Sequence, residues 1–170
     1  MTTTAILIAA AILLTVLYTG IASWRHGELP ESISALVYNL PRGWQFVWTC
    51  WLWAAAFLTL PGLLEATPEP FKGLAFLTCV LLAFTGATPL VAGSRNQTHY
   101  ALAISAGVAS QICVAAINWH WLIAWAIPVI LHGMATTPGA RKIPRWLEGK
   151  GVTVVEFICS ATTWGAAITH

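Results

Sequence analysis

The chain has 170 residues, of which 58% are hydrophobic and only 8% charged, against roughly 25% charged in soluble domains. So little charge excludes a water-soluble globule, and a formal net charge of +2 is too small to recommend nucleic acid as a partner. This is the composition of a polytopic membrane protein with the lipid bilayer as its solvent.

Residues 4–23 form the first apolar run, and about 20 residues suffice to cross some 30 Å of hydrocarbon. Met1-Thr2-Thr3-Thr4 lacks the basic start of a signal peptide, so the run reads as a spanning helix. A polar stretch follows, from Gly27 to Gly43, carrying Glu28, Glu31, Ser32, Ser34 and Tyr38 between apolar blocks. Within it Ile33, Leu36, Val37 and Leu40 recur at helical spacing, which predicts a short amphipathic segment lying on the membrane. Such a segment serves either as a lid over a site or as a re-entrant connector.

The second run covers residues 44–64, with Trp44 and Trp48 expected in the interfacial belt and Trp51 and Trp53 packed deeper. The third covers residues 74–92. The fourth, residues 99–118, holds the close-packing pairs Ala103-x-x-x-Gly107 and Ala106-x-x-x-Ser110, which predict a central helix. Gln111 at its middle is expected to form an interhelical hydrogen bond. A minimal turn at Asn118-Trp119-His120-Trp121 leads into the fifth run, residues 119–137, with a kink expected at Pro128. The sixth run is residues 151–169, with Ala161-x-x-x-Gly165 as its small face. The four cysteines fall in four different runs without a Cys-x-x-Cys pair, so they read as small apolar groups. The fold class expected is all-α: a single domain, residues 1–170, built as a six-transmembrane-helix bundle.

Charge orients that bundle. The links after the first, third and fifth runs share one side and hold Arg25, Arg42, Arg95, Arg141, Lys142, Arg145 and Lys150; the other side holds Lys72. The positive-inside rule then predicts N-out and C-out, in a bacterial-type inner membrane. The sequon Asn96-Gln97-Thr98 falls on the cytoplasmic side, where it is empty.

Ionisable groups at membrane depth are costly and point to function. Glu156 lies about 8 Å into the sixth run, His132 at a similar depth in the fifth, and His99 at the start of the fourth. All three approach the cytoplasmic face, beside Ser32 and Ser34. The candidate catalytic residues are therefore Ser32, Ser34, His99, His132 and Glu156. His99, His132 and Glu156 are also candidate ligands for a divalent metal such as zinc, whose bound water could attack a lipid ester. The same groups could form a proton relay in a small transporter. In the bland alternative His132 and Glu156 only pair across two helices, in a non-catalytic assembly partner. Expected partners are the bilayer, a lipid or small-molecule ligand, and a second copy of the chain in a homo-oligomer.

Pro30-Glu31-Ser32-Ile33-Ser34 before a Trp-rich helix, then Gly86-Ala87-Thr88-Pro89 and His99 opening the next helix, resembles a pattern in uncharacterised small bacterial six-span proteins. It is more distantly similar to the damage-regulated autophagy modulators, where a Pro-x-Ile-Ser element follows the first helix; Ala35 stands where that family tends to carry an aspartate. A remoter resemblance, to alkaline-ceramidase-like transmembrane hydrolases, implies Ser32 or Ser34 with His99 and His132 around zinc. The aspartate and late histidine pair of those enzymes have no counterpart here.

Overall fold

The computed structural model describes residues 2–27, 30–34, 36–39, 41–92, 97–136 and 150–170, and among them every regular element is a helix. Helix α1 is Thr3–His26, α2 Leu36–Asn39, α3 Arg42–Ala66, α4 Lys72–Ala92, α5 Gln97–Asn118, α6 Ala126–Thr136 and α7 Gly151–Ile168. Short 3-10 helices fill Glu69–Phe71 and Trp119–Trp125. The Thr2 side chain caps α1 by accepting the Ala5 N–H, and Gly27 ends it in the left-handed region at φ 87°, where a residue without Cβ is favoured.

Among the described residues five helical runs are long and apolar enough to cross a membrane: Thr3–His26, Arg42–Ala66, Glu69–Val91, Gln97–His132 and Gly151–Ile168. The difference from six lies in the fourth. There α5, the 3-10 stretch and α6 follow one another without a break. The run is not straight, however. Asn118 adopts an extended conformation, φ −161° and ψ 100°, and its side chain caps the 3-10 helix through the His120 N–H. Trp125 Nε1 then reaches back to Gln111 Oε1 at 2.8 Å. These two residues lie equally far on either side of Asn118, so the path doubles back there. The kink expected at Pro128 is not needed. Pro128 falls in the first turn of α6, where a missing N–H breaks no intrahelical bond.

Antiparallel packing of α1 on α3 is read from the pairs that meet. Thr4 Oγ1 donates to Glu65, Ile8 fits against Gly62, Tyr18 packs on Trp48, and Arg25 lies over the Trp44 ring. A Cβ at Gly62 would overlap the Ile8 side chain, so this glycine sets the closeness of the two helices. At the far end of α7, Gly165 receives the Trp121 ring, whose carbons would stand 2.5–2.8 Å from an added Cβ.

Three expectations about packing change. Helix α3, rather than the small-residue helix α5, is the centre: it packs on α1, α4 and α7 and is the most buried of the five runs. Trp48 is 1% exposed, in the core and not in an interfacial belt, while Trp53 faces outward at 45% and secures its indole N–H on the Ala83 carbonyl. Trp44, Trp48 and Trp51 fall at i, i+4 and i+7, one face of a helix; position along a run gives depth but not face. Finally, Ile33, Leu36 and Val37 are buried among α1 and α3 residues, so the apolar side of this segment faces protein rather than lipid.

Gln111 is the tie expected of it. Its Nε2 donates toward the Cys159 carbonyl at 3.2 Å and Thr163 Oγ1 at 3.3 Å, while its Oε1 accepts from Trp125 and Thr162. One side chain thus joins α5, the 3-10 stretch and α7. Gln111→Leu should lower stability by about 1–2 kcal/mol, read by reversible unfolding in mixed micelles, whereas Ile104→Leu on the exposed face should change little.

Candidate functional site

The site begins with an ordinary problem of helix ends: the first N–H groups of α7 have no partner within the helix. Thr153, in the first turn, directs its N–H to the Glu31 carbonyl at 3.1 Å and its hydroxyl to the Pro30 carbonyl at 2.7 Å. The polar stretch between α1 and α3 is thereby held against the start of α7. One turn further on, the Glu156 carboxylate accepts the Ile33 N–H at 2.6 Å, the Ser34 N–H at 3.2 Å and the Ser32 hydroxyl at 2.9 Å. With the Ser32 proton committed to Glu156, the 2.8 Å contact between the two serine hydroxyls is donated by Ser34. Bonds to an ionised acceptor are the stronger kind, and two come from backbone, which fixes the segment and not just its side chains.

The same segment has a second face. Ile33, Leu36 and Val37 close over Tyr18 and Ala22 of α1 and Trp48, Trp51 and Leu52 of α3. Tyr18 stacks on Trp51 with ring centroids 4.5 Å apart, and Trp48 lies 4.8 Å from Trp51. Tyr38 sets its ring edge-on to His99 at 5.5 Å. Its hydroxyl approaches Thr88 without reaching hydrogen-bond geometry, and burial pushes the phenol above its ordinary range, so it is a neutral donor.

His99 is fully buried, and its setting follows from a proline. Pro89 has no N–H to give the Thr85 carbonyl one turn back, and the Thr88 hydroxyl donates to that carbonyl instead, at 2.7 Å. Its single proton spent, Thr88 accepts from His99 Nδ1, also at 2.7 Å. This network assigns the tautomer: the proton is on Nδ1, and Nε2 is a lone-pair acceptor. Nε2 has no partner. Neither do Tyr18 Oη, Thr19 Oγ1, Ser23 Oγ, Tyr38 Oη, Trp48 Nε1 and Trp51 Nε1, all sealed from solvent. Leaving a buried polar group unpaired costs roughly 1–3 kcal/mol, so this concentration needs a reason.

Of the residues singled out from sequence, Ser32, Ser34 and Glu156 are brought together. His99 belongs to a separate hydrogen-bond network with Thr88, and meets the segment through its ring contacts with Tyr38 and Trp48. His132 lies exposed on α6. Among the described residues no three His, Cys, Asp or Glu side chains stand close enough to hold a metal ion, so His99, His132 and Glu156 are not assembled as one ligand set. No serine–histidine hydrogen bond is among those described, and Glu156 is engaged as an acceptor by the loop. Thr88, Thr153, Tyr18 and Trp51 were not legible as partners. The one signal present was Thr88-Pro89, a hydroxyl beside the residue that frees a carbonyl.

The described residues thus form an all-helical chain whose long apolar helices are compatible with an integral membrane protein. No family model, curated protein or solved structure matches it.

Hydrogen exchange reads the clasp directly. In Glu156→Ala the Ile33 and Ser34 amides should exchange at least tenfold faster, with the middle of α5 unchanged. Glu156→Gln, which keeps one acceptor oxygen, should fall between.

Proposed function

We propose that the chain crosses the membrane six times, N-out and C-out in a bacterial-type inner membrane. In this reading it holds a lipid or small molecule at its cytoplasmic face, beneath a lid made of residues 30–34 and α2. The observation that carries the binding reading is the clasp of Ile33, Ser34 and Ser32 on Glu156. It fastens a two-faced segment over a buried cluster of unpaired polar groups by a few hydrogen bonds at one edge, as suits a part that opens.

Six crossings are supported by helix direction. Gly107 lies against Cys159, and Gln111 bonds Thr163, so α5 and α7 run parallel and the chain between them returns. At about 2.0 Å per residue for the 3-10 stretch and 1.5 Å for α6, that return leg is about 30 Å long, one hydrocarbon thickness. The charge asymmetry supports the orientation.

Hydrolysis of a lipid ester, the second reading, has less support, because the serines and His99 sit in separate networks and Glu156 serves as an anchor. Two measurements test the proposal. His120→Cys and Glu69→Cys should react with an impermeant maleimide from the outer side, and His26→Cys only from the cytoplasmic side; protection of His120→Cys within the bilayer would contradict six crossings. A fluorophosphonate probe should leave Ser32 and Ser34 unmodified. Stoichiometric labelling of either would favour the hydrolase.

A further inference from the structure

Polar groups are distributed unevenly along this bundle. In the half that holds Asn118 and the C-terminus, three half-buried indoles and the buried hydroxyls of Thr59 and Thr162 have partners: Trp164 with Thr59, Trp121 with Thr169, Trp125 and Thr162 with Gln111. Every orphaned buried side-chain atom among the described residues lies in the other half, on the lid or on the helices around it. These atoms come from the last turns of α1, from α2, from the first turns of α3 and from the first turn of α5, so no single element's placement accounts for them. Ring contacts connect them: Tyr18 to Trp51 and Trp48, Trp48 to His99 at 6.5 Å, His99 to Tyr38.

Their chemistry is specific. Trp48 and Trp51 can only donate, and the hydroxyls of Tyr18, Thr19, Ser23 and Tyr38 are free to donate. His99 Nε2, by the tautomer derived above, can only accept. The rings and hydroxyls carry no formal charge, and Arg25 stands outside them, over Trp44. A charged ligand would be buried without a counter-ion, which is strongly unfavourable. The complement is a neutral molecule with two or more acceptor oxygens, at least one hydroxyl for His99, and an apolar body to lie against aromatic walls.

We propose that this cluster is the closed form of a binding site for a neutral, membrane-soluble amphiphile bearing carbonyl and hydroxyl oxygens. The inference rests on the lid reading above, because such a molecule enters where Ile33, Leu36 and Val37 now close the cluster. Two sources supply this chemistry: a quinone or quinol headgroup, and the ester and free hydroxyl of a glycerolipid.

The test uses isosteric variants of the full chain, delipidated and placed in nanodiscs. Tyr18→Phe and Tyr38→Phe remove one orphaned hydroxyl each at nearly constant shape. Without added ligand each should melt at the same temperature as the parent or a few degrees higher, because an unpaired group has been removed. Binding of a short-chain benzoquinol and of a short-chain diacylglycerol is then measured by calorimetry. Each Phe variant should weaken the productive probe by roughly fivefold or more, the worth of one hydrogen bond. Binding of the quinol alone assigns a ring headgroup, of the diacylglycerol alone a glycerolipid, and of both the shared chemistry. Binding of neither overturns the proposal. So does a clear fall in melting temperature for both Phe variants without ligand, since their hydroxyls would then already be paired. Glu156→Ala separates the two readings: it should speed probe association at least tenfold. An unchanged rate, with affinity still dependent on Tyr18 and Tyr38, would sink the lid and leave the site standing.

Discussion

The carboxylate of Glu156 is the group on which the loop face of this molecule depends. It sits in the second turn of the last described helix and takes its hydrogen bonds from the segment between the first two long ones. A contact between the two ends of the sequence therefore closes the bundle. The Thr153 bonds to the Pro30 and Glu31 carbonyls share the load, and they also give an exposed helix start the partners it needs. Because backbone N–H groups of Ile33 and Ser34 are engaged, the clasp fixes the register of the segment. Register in turn decides that Ile33, Leu36 and Val37 face inward, and that Tyr38 meets His99.

Around that clasp the bilayer imposes its own rule, that polar groups within it be satisfied from inside the protein. Gln111 shows the rule obeyed: one amide serves three elements and leaves no loose end. The aromatic cluster under residues 30–34 shows it disobeyed, with orphaned donors and one orphaned acceptor drawn from four elements. The contrast within one small bundle is what separates a structural polar network from a proposed functional one.

Much of the outline was legible in the sequence. Five long helices match apolar runs read from composition, and the polar stretch before the Trp-rich helix does meet Glu156. Asn118 was recognisable as a turn, though not as a 3-10 start that leaves the following leg in two short pieces. Tertiary facing was less accessible. Depth along the run put Trp48 at the interface and Trp53 in the packed interior, yet the 3.6-residue period sends Trp48 to the core and Trp53 outward. The grouping of His99, His132 and Glu156 came from depth alone, and depth carries no information about which helices are neighbours. His99 found Thr88 on the preceding helix because Pro89 had freed a carbonyl there.

The central claim is that residues 30–34 and α2 form a lid that Glu156 holds shut. Spin labels at Glu31 and Val152, both exposed and flanking the clasp, make it directly measurable by dipolar broadening of continuous-wave electron paramagnetic resonance spectra in frozen nanodiscs, the method suited to so close a pair. A narrow, short distance distribution is expected for the parent chain, with a second, longer population appearing in Glu156→Ala. A distribution unchanged by that substitution would contradict the account.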